Sequence, residues 1–134
     1  MTIVANIKNS FQQNDVIVET DGNKKKISIP AKPKGQGSSV NGAEFLFLSL
    51  ATCFCNDIYR EAVRRNINVQ SIEVTVWGEF GKEGEPASSI SYNTTIQSDA
   101  PPNEISALID HVDKIAEIHN TLRKGVKVTF SADA

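Results

Sequence analysis

Two thiols lie close together near the middle of the chain, at Cys53 and Cys55. The nucleophilic form of cysteine is the thiolate, which a nearby cation or the N-terminus of a helix stabilises. Cys53 lies about three turns after the predicted start of its helix, too deep to benefit strongly from the helix dipole. Asp57 follows four residues later on the same face and opposes negative charge on the sulfur. Two alternatives therefore stay open for Cys53: a reactive thiol activated by a cation from a partner chain, and a buried packing residue.

Cys55 is expected to pack rather than to form a disulfide with Cys53. Two successive residues of a helix turn the side-chain direction by ~200°, whereas a disulfide requires Cβ atoms that point toward each other. Two cysteines also supply too few ligands for a structural zinc site, so no metal is predicted. The same cysteine usage fits a reducing compartment and predicts a cytoplasmic protein.

His119 shares a predicted helical face with Val112 and Ile115. On such an apolar face a histidine is more often a core residue with satisfied hydrogen bonds. Beside a thiol, however, it can serve as a base or as a cationic partner. The second histidine, His111, lies off this face and is expected to be exposed.

Glu44 lies near the predicted start of the helix that carries Cys53. Asn41 and Glu44 have the spacing of a capping box, in which each side chain accepts a hydrogen bond from the other residue's amide. On a straight helix, Glu44 is ~13 Å along the axis and half a revolution away from Cys53. The spacing favours the capping role, and a contact between Glu44 and Cys53 within one chain requires a kink.

The elements that must position these side chains are short strands and two helices. Residues 45–54 are apolar nearly all round, which is typical of a central helix buried on every side. Asp21-Gly22 between β-branched runs predicts a hairpin, and residues 30–39 have the composition of a loop. The predicted strands are residues 2–7, 15–20, 25–30, 69–76, 89–96 and 126–130, with a second helix between Pro102 and Gly125. The order βββ-α-ββ-α-β predicts a single α+β domain over residues 1–134.

The composition disfavours several classes of partner. The 134 residues carry a formal net charge of -2, with a pI of about 5.7. Nucleic acid is therefore not expected as a partner, because its binding depends on neutralising phosphates. No stretch approaches the ~20 apolar residues of a membrane span. No apolar segment follows a basic N-terminus, so no signal peptide is expected.

Two segments resemble the OsmC family, which includes the organic hydroperoxide resistance proteins. The segment GAEFLFLSLATCFCNDIYREAVRRNINVQSIEVTVWGEF, residues 42–80, is similar to the family's central block. The segment IAEIHNTLRKGV, residues 115–126, is similar to its second block, a Cys-Pro-Val-His-Asn-Thr-Leu type of sequence that precedes a glycine and the last strand. The resemblance implies an OsmC-like α+β fold with a long buried central helix, in an intertwined homodimer with two active sites at the subunit interface.

The resemblance also implies a thiol chemistry. In active members one cysteine attacks a peroxide and becomes a sulfenic acid, a second cysteine closes a disulfide, and an external dithiol reduces it. An arginine and a glutamate support the reactive thiolate. Carried over by position, Cys53 falls on the peroxide-attacking cysteine, and residues 119–122 fall on the His-Asn-Thr-Leu part of the second block.

The other chemical parts of the family pattern are missing or displaced. Ala116 stands where the resolving cysteine is expected, and Glu117 stands at the proline position. Ala43 occupies the position of the supporting glutamate, with Glu44 one residue later. The supporting arginine comes from the N-terminal strands of active members, but the first arginine of this chain is Arg60.

The sequence therefore predicts a redox protein that handles peroxides or thiol adducts through Cys53 alone. Attack of the thiolate on a peroxide oxygen gives a sulfenic acid, which an external thiol resolves. His119 and Glu44 are the further catalytic candidates, and no metal, nucleotide or flavin cofactor is predicted. The missing parts predict weak or lost peroxidase activity. The alternative is a non-enzymatic homodimer that binds a small apolar ligand in the interface pocket.

Overall fold

The computed structural model describes residues 1–132 and divides into two compact units, Met1–Phe45 and the residues from Leu46 onward. The first unit contains an antiparallel sheet in the order β1-β2-β3, formed by β1 (Ile3–Ser10), β2 (Gln13–Thr20) and β3 (Asn23–Lys26). The hairpin predicted at Asp21-Gly22 is confirmed. Both residues have positive φ, 47° and 86°, which is the conformation that a type I′ turn requires.

Strand β3 ends earlier than the sequence predicts. It stops at Lys26 rather than at residue 30, although the Ile27 amide still donates to the Val16 carbonyl at 3.1 Å. Farther along, the Asn14 side chain donates to the Ile29 carbonyl at 3.2 Å. A side chain thus replaces the backbone ladder, and the predicted loop follows, closed by an isolated bridge between residues 31 and 38.

The long helix α1 (Gly42–Arg64) begins with the predicted capping box. The Asn41 amide donates to the Glu44 carboxylate at 3.0 Å, and the Glu44 amide donates to the Asn41 side-chain oxygen at 2.8 Å. The expected burial on every side is not found within the single chain, because Leu48 is 57% exposed. The buried positions instead form one stripe, composed of Leu50, Phe54, Asp57, Ile58, Glu61 and Ala62.

In the second unit, this stripe of α1 packs on a two-stranded antiparallel sheet of β4 (Val69–Phe80) and β5 (Ala87–Ser98). Both strands extend beyond their predicted ranges. Side chains alternate along them, so that Ile72, Val74 and Tyr92 face the core while their neighbours are exposed. The core itself comprises Phe54, Ile58, Ala62, Ile67, Leu108 and Val112.

The predicted second helix is two helices, α2 (Pro102–Ile115) and α3 (Glu117–Lys124). The helix is interrupted at Ala116, whose φ and ψ of -62° and 110° are those of extended backbone. Helix α3 ends at Gly125, which has a φ of 61°. The sequence did not reveal the break, because Val112 before it and His119 after it are both buried. Their spacing therefore reads as one continuous apolar face.

The predicted last strand is not formed among the described residues. Residues 126–130 pair with no described strand, and Val128 and Phe130 are 95% and 93% exposed. A strand needs a neighbour to satisfy its backbone hydrogen bonds, and none of the described strands pairs with this segment. The antiparallel strands and three helices nevertheless confirm the predicted α+β class. None of the described helices combines the length and the apolar character that crossing a bilayer requires.

Candidate functional site

Cys53 lies half-buried on α1, with Asp57 beside it as the helical spacing predicts. The Cys53 thiol donates a hydrogen bond to the Asp57 carboxylate, with Sγ and Oδ2 3.8 Å apart. Asp57 is itself buried and pairs with the Arg60 guanidinium at 2.8 Å. The Asp57 carboxylate therefore stabilises the protonated thiol, and the positive charge of Arg60 is neutralised by its ion pair with Asp57.

The break between α2 and α3 places backbone amides near Cys53. The backbone amides of Ile118 and Glu117, in the first turn of α3, lie near enough to Cys53 to lower its pKa. No side chain caps this helix start at Ala116, so its amides are available to a negatively charged sulfur. The sequence interpretation did not find these amides, because it treated residues 102–124 as one helix. Its expectation that nothing within the chain activates Cys53 nevertheless agrees with the raised pKa of the thiol.

Some sequence signals do mark α3 as a separate helix. Glu117 is the acidic residue of its first turn, Arg123 and Lys124 are the basic residues of its last turn, and Gly125 ends it. Acidic residues at the start and basic residues at the end of a helix interact favourably with its dipole, so this order indicates a separate helix. The spacing of the apolar residues alone does not reveal where α3 begins.

The balance of effects still favours the neutral thiol. Burial raises the pKa of Cys53 above its ordinary value, the negative charge of Asp57 raises it further, and the amides of α3 offset only part of this. In the single chain Cys53 is therefore a protonated hydrogen-bond donor at neutral pH. A thiolate requires a further change in the environment of the sulfur.

Cys55 lies on a different side of α1. It faces a shallow depression with Val74 of β4 and Asn56, and both cysteines are free thiols. The geometry agrees with the ~200° separation expected for this spacing. Cys55 and Cys53 thus occupy separate environments within the second unit.

His119 is buried against aromatic rings, as its position on the apolar face predicts. Its ring centroid lies 4.7 Å from that of Tyr92 and 5.9 Å from that of Phe54. The side chain is 4% exposed, and neither ring nitrogen has a hydrogen-bond partner among the described residues. Burial, followed by the positive charge of Arg123, lowers the pKa of His119, so the imidazole is neutral at neutral pH.

A polar network beside His119 was not found by sequence analysis. The Tyr92 hydroxyl of β5 donates a hydrogen bond to the Asp113 carboxylate of α2, and Arg123 of α3 contacts the same carboxylate at 2.7 Å. Burial and the adjacent Asp113 carboxylate raise the pKa of Tyr92, whereas the hydrogen bond from Tyr92 lowers the pKa of Asp113. These residues are far apart in sequence, and no motif links them.

The remaining candidates have structural partners. The Glu44 carboxylate is engaged in the capping box of α1, and a catalytic role for it stays a prediction. His111 is partly buried rather than exposed, with its Nε2 3.4 Å from the buried Glu61 carboxylate. Among residues 1–132 no cluster of three or more His, Cys, Asp or Glu side chains has the arrangement of a metal site.

The fold is shared with proteins of known structure. The family model described as OsmC-like protein matches residues 35–131. No curated protein sequence matches the chain. An OsmC-like protein from Mycoplasma pneumoniae is 22% identical with a TM-score of 0.64, over 92% of this chain and 89% of that chain. Organic hydroperoxide resistance proteins from Legionella pneumophila and Bacillus subtilis are 21% and 18% identical, with TM-scores of 0.58 and 0.55. The matches cover 96% of this chain in both cases, and 94% and 96% of the respective structures.

Proposed function

Because the chain belongs to the OsmC-like protein family, we propose that it is a redox protein that reduces organic hydroperoxides through Cys53 alone. The Cys53 thiolate attacks one oxygen of the hydroperoxide, the O–O bond breaks, and the sulfur becomes a sulfenic acid. The departing alkoxide takes a proton and leaves as an alcohol. Sulfur is thereby oxidised by two electrons and the peroxide is reduced by two.

The observation that carries this proposal is the position of Cys53 at the start of α3. Two backbone amides, from Glu117 and Ile118, act on its sulfur. Uncapped amides at a helix N-terminus stabilise negative charge, and negative charge forms on sulfur when the thiol is activated. Cys55 lies on another side of α1, beside Val74 of β4.

An external thiol must complete the cycle, because Ala116 occupies the position of a resolving cysteine. One external thiol attacks the sulfenic acid, releases water and forms a mixed disulfide with Cys53. A second external thiol then attacks that disulfide, regenerates the Cys53 thiol and leaves as a disulfide of the reductant. A reducing cytoplasm supplies such thiols and accords with the two free cysteines of the chain.

We further propose that the active form is a homodimer. Leu48 and Val63 on α1 are 57% and 76% exposed. Large apolar side chains exposed on a helix that also carries part of the core are typical of an interface rather than of a monomer surface. A second copy of the chain buries these exposed apolar side chains. It can also place a cationic side chain near Cys53, where the single chain has Arg60 paired with Asp57.

The proposal is tested by the mass of the protein after one equivalent of cumene hydroperoxide. We expect one added oxygen atom on Cys53, trapped by dimedone, and slow turnover when an external thiol is supplied. Cys55→Ser should retain the adduct, and Cys53→Ser should lose it. An adduct on Cys55, or a disulfide between the two cysteines, would show that the proposed mechanism is wrong.

A second function is favoured by the raised pKa of Cys53. Burial and Asp57 hold the thiol neutral, which also suits a non-enzymatic homodimer that binds a small apolar ligand. In that case Cys53 is a packing residue, and iodoacetamide modifies it only after denaturant is added. Measurable modification of the native protein, with a pH dependence typical of thiolate formation, favours the redox function instead.

A further inference from the structure

The break between α2 and α3 takes two carbonyls of α2 away from their helical partners. In a continuous helix, the amides of Glu117 and Ile118 donate to the carbonyls four residues earlier, which belong to Asp113 and Lys114. The extended backbone at Ala116 interrupts this pattern. The last carbonyls of a helix are then satisfied by side chains, water or ligands. Other donors are therefore needed at both carbonyls.

Two side chains of α3 bind these two carbonyls. The Asn120 side-chain amide donates to the Lys114 carbonyl at 2.9 Å. The Arg123 guanidinium donates to the Asp113 carbonyl at 2.8 Å, and its second terminal nitrogen contacts the Asp113 carboxylate at 2.7 Å. Tyr92 of β5 donates to the same carboxylate and holds Asp113 from the other side. Each carbonyl thus has a side-chain donor where a continuous helix has a backbone amide.

The amides displaced in this exchange are the ones that act on Cys53. Helix α3 packs on the part of α1 that carries the thiol: Leu50, one turn before Cys53, lines the same small recess as His119, and the Phe54 ring lies 5.9 Å from the imidazole. The first two amides of α3 lie near enough to the sulfur to lower its pKa. The carbonyls of α2 and the thiol therefore compete for the same two backbone donors.

We propose that Asn120 and Arg123 are positioning residues that hold the break between α2 and α3 open, so that the first amides of α3 stay available to Cys53. When the side-chain donors are removed, the α2 carbonyls take back the backbone amides, and the first turn of α3 continues α2. Neither residue touches the reacting atoms. The inference rests on the proposed function of Cys53 as the reacting thiol, but its test uses no peroxide.

The first measurement is the pH profile of Cys53 alkylation by iodoacetamide in the reduced, full-length protein, with the modified cysteine identified by peptide mass. Asn120→Leu removes the donor at similar size and leaves the charges of Asp57, Arg60 and Arg123 in place. We expect the profile to move by about half a pH unit to one unit toward higher pH. Alkylation at pH 7.5 should slow about three- to tenfold, because each pKa unit changes the thiolate fraction tenfold.

The second measurement reads the break itself. In Asn120→Leu the ¹³Cα resonance of Ala116 should move toward helical values, and the Ile118 amide should exchange its hydrogen more slowly, because a backbone hydrogen bond protects it. The double variant Asn120→Leu/Arg123→Met should move the Ala116 resonance further. These signals do not require a reactive thiol, so an inert Cys53 refutes the redox function while the backbone signals still decide the positioning role.

Thr121→Val is the matched control within α3. It removes a side-chain hydrogen bond of 2.7 Å to the Glu117 carbonyl, which lies inside α3, and leaves the α2 carbonyls untouched. The alkylation profile and the Ala116 resonance should both stay in place. If Asn120→Leu does not fold, Asn120→Ala removes the same donor with a good helix former and decides the question.

Three results would overturn the proposal. An unchanged Ala116 resonance in Asn120→Leu would show that the side-chain donor does not hold the break open. A resonance that moves while a measurable alkylation profile stays in place would show that the amides do not govern the thiol. Equal changes in Thr121→Val would indicate a general loosening of α3 instead of the exchange of donors at the α2 carbonyls.

Discussion

At the scale of single residues, the reactivity of Cys53 depends on a balance between a carboxylate and two amides. Asp57 and burial favour the neutral thiol, whereas the amides of Ile118 and Glu117 favour the thiolate. The amides belong to the backbone and are positioned by the fold. Asp57 is therefore the member of this balance that a single substitution can remove directly.

We expect Asp57→Asn to lower the pKa of Cys53, because it removes a negative charge and keeps a side chain of similar size. Alkylation of the native protein by iodoacetamide at pH 7 should become severalfold faster, and its pH profile should move to lower pH. Asp110→Asn, at an exposed carboxylate of α2, is the matched control and should leave the profile in place. An unchanged profile in Asp57→Asn would mean that the carboxylate does not govern the thiol.

His119 should make the stability of the protein depend on pH. Its pKa in the folded protein lies below the ordinary value of 6.5, so below that pH the unfolded chain binds a proton that the folded chain does not. The free energy of unfolding is therefore retained above pH 6.5 and falls as the pH decreases, by up to about 1.4 kcal/mol per pH unit.

Urea unfolding at pH 7.5 and pH 5.5 measures this loss. The decrease should be largely absent in His119→Phe and should persist in His111→Gln, which removes the other histidine of the chain. A decrease of equal size in His119→Phe would assign the pH dependence to other groups.

At the scale of elements, the break between α2 and α3 determines what Cys53 contacts. A continuous helix has no free amides at Glu117 and Ile118, because these amides would bond to carbonyls one turn earlier. The extended conformation of Ala116 interrupts that pattern. The break thus converts two backbone groups into donors near a side chain on another helix.

This geometry predicts that Ala116→Cys restores a resolving thiol. The Cys53 sulfur already lies near the two residues that follow Ala116, and a mild oxidant should form an intramolecular disulfide between Cys53 and the introduced thiol. Non-reducing peptide mapping identifies the bond. Ala107→Cys, at an exposed position of α2, should form no such bond. If Ala116→Cys also forms none, the side chain at position 116 points away from Cys53.

The sequence predicted those elements whose signals are local. The capping box of Asn41 and Glu44 and the turn at Asp21-Gly22 are specified by adjacent residues, and both are formed as expected. The break at Ala116 was missed because both helices bury residues on one apparent apolar face. The contacts of Tyr92 with Asp113 were missed because they join positions 21 residues apart, and no spacing rule relates such positions.

The parts of the candidate site that depend on local spacing or on the family resemblance were predicted, and the parts that depend on long-range contacts were not. Cys53 was identified from the family resemblance, and its contact with Asp57 followed from helical spacing. Burial of His119 followed from its place on an apolar face. The absence of hydrogen-bond partners for its ring among the described residues depends on the surrounding aromatic rings, which only the folded chain brings together.

At the scale of the whole molecule, the exposed apolar side chains of α1 should make the protein a dimer in solution. Sedimentation at micromolar concentration should give the mass of two chains. Leu48→Lys places a charge among the exposed apolar side chains and should raise the monomer fraction at least about tenfold, since burying an unpaired charge is costly. Asn103→Lys, at an exposed polar position of α2, should leave the mass unchanged. A compact wild-type monomer would contradict the proposed assembly.

The segment of residues 126–130 has a further consequence for the handling of the protein. Its sequence, Val-Lys-Val-Thr-Phe, favours a β conformation, and Val128 and Phe130 are almost fully exposed. A β-prone segment that pairs with no described strand can pair with the same segment of other molecules and begin aggregation. Lys127 is the only charge within it and opposes such stacking by repulsion. Removing that charge with Lys127→Thr should therefore shorten the lag time of fibril formation in concentrated, agitated samples, even if the folded units keep their stability.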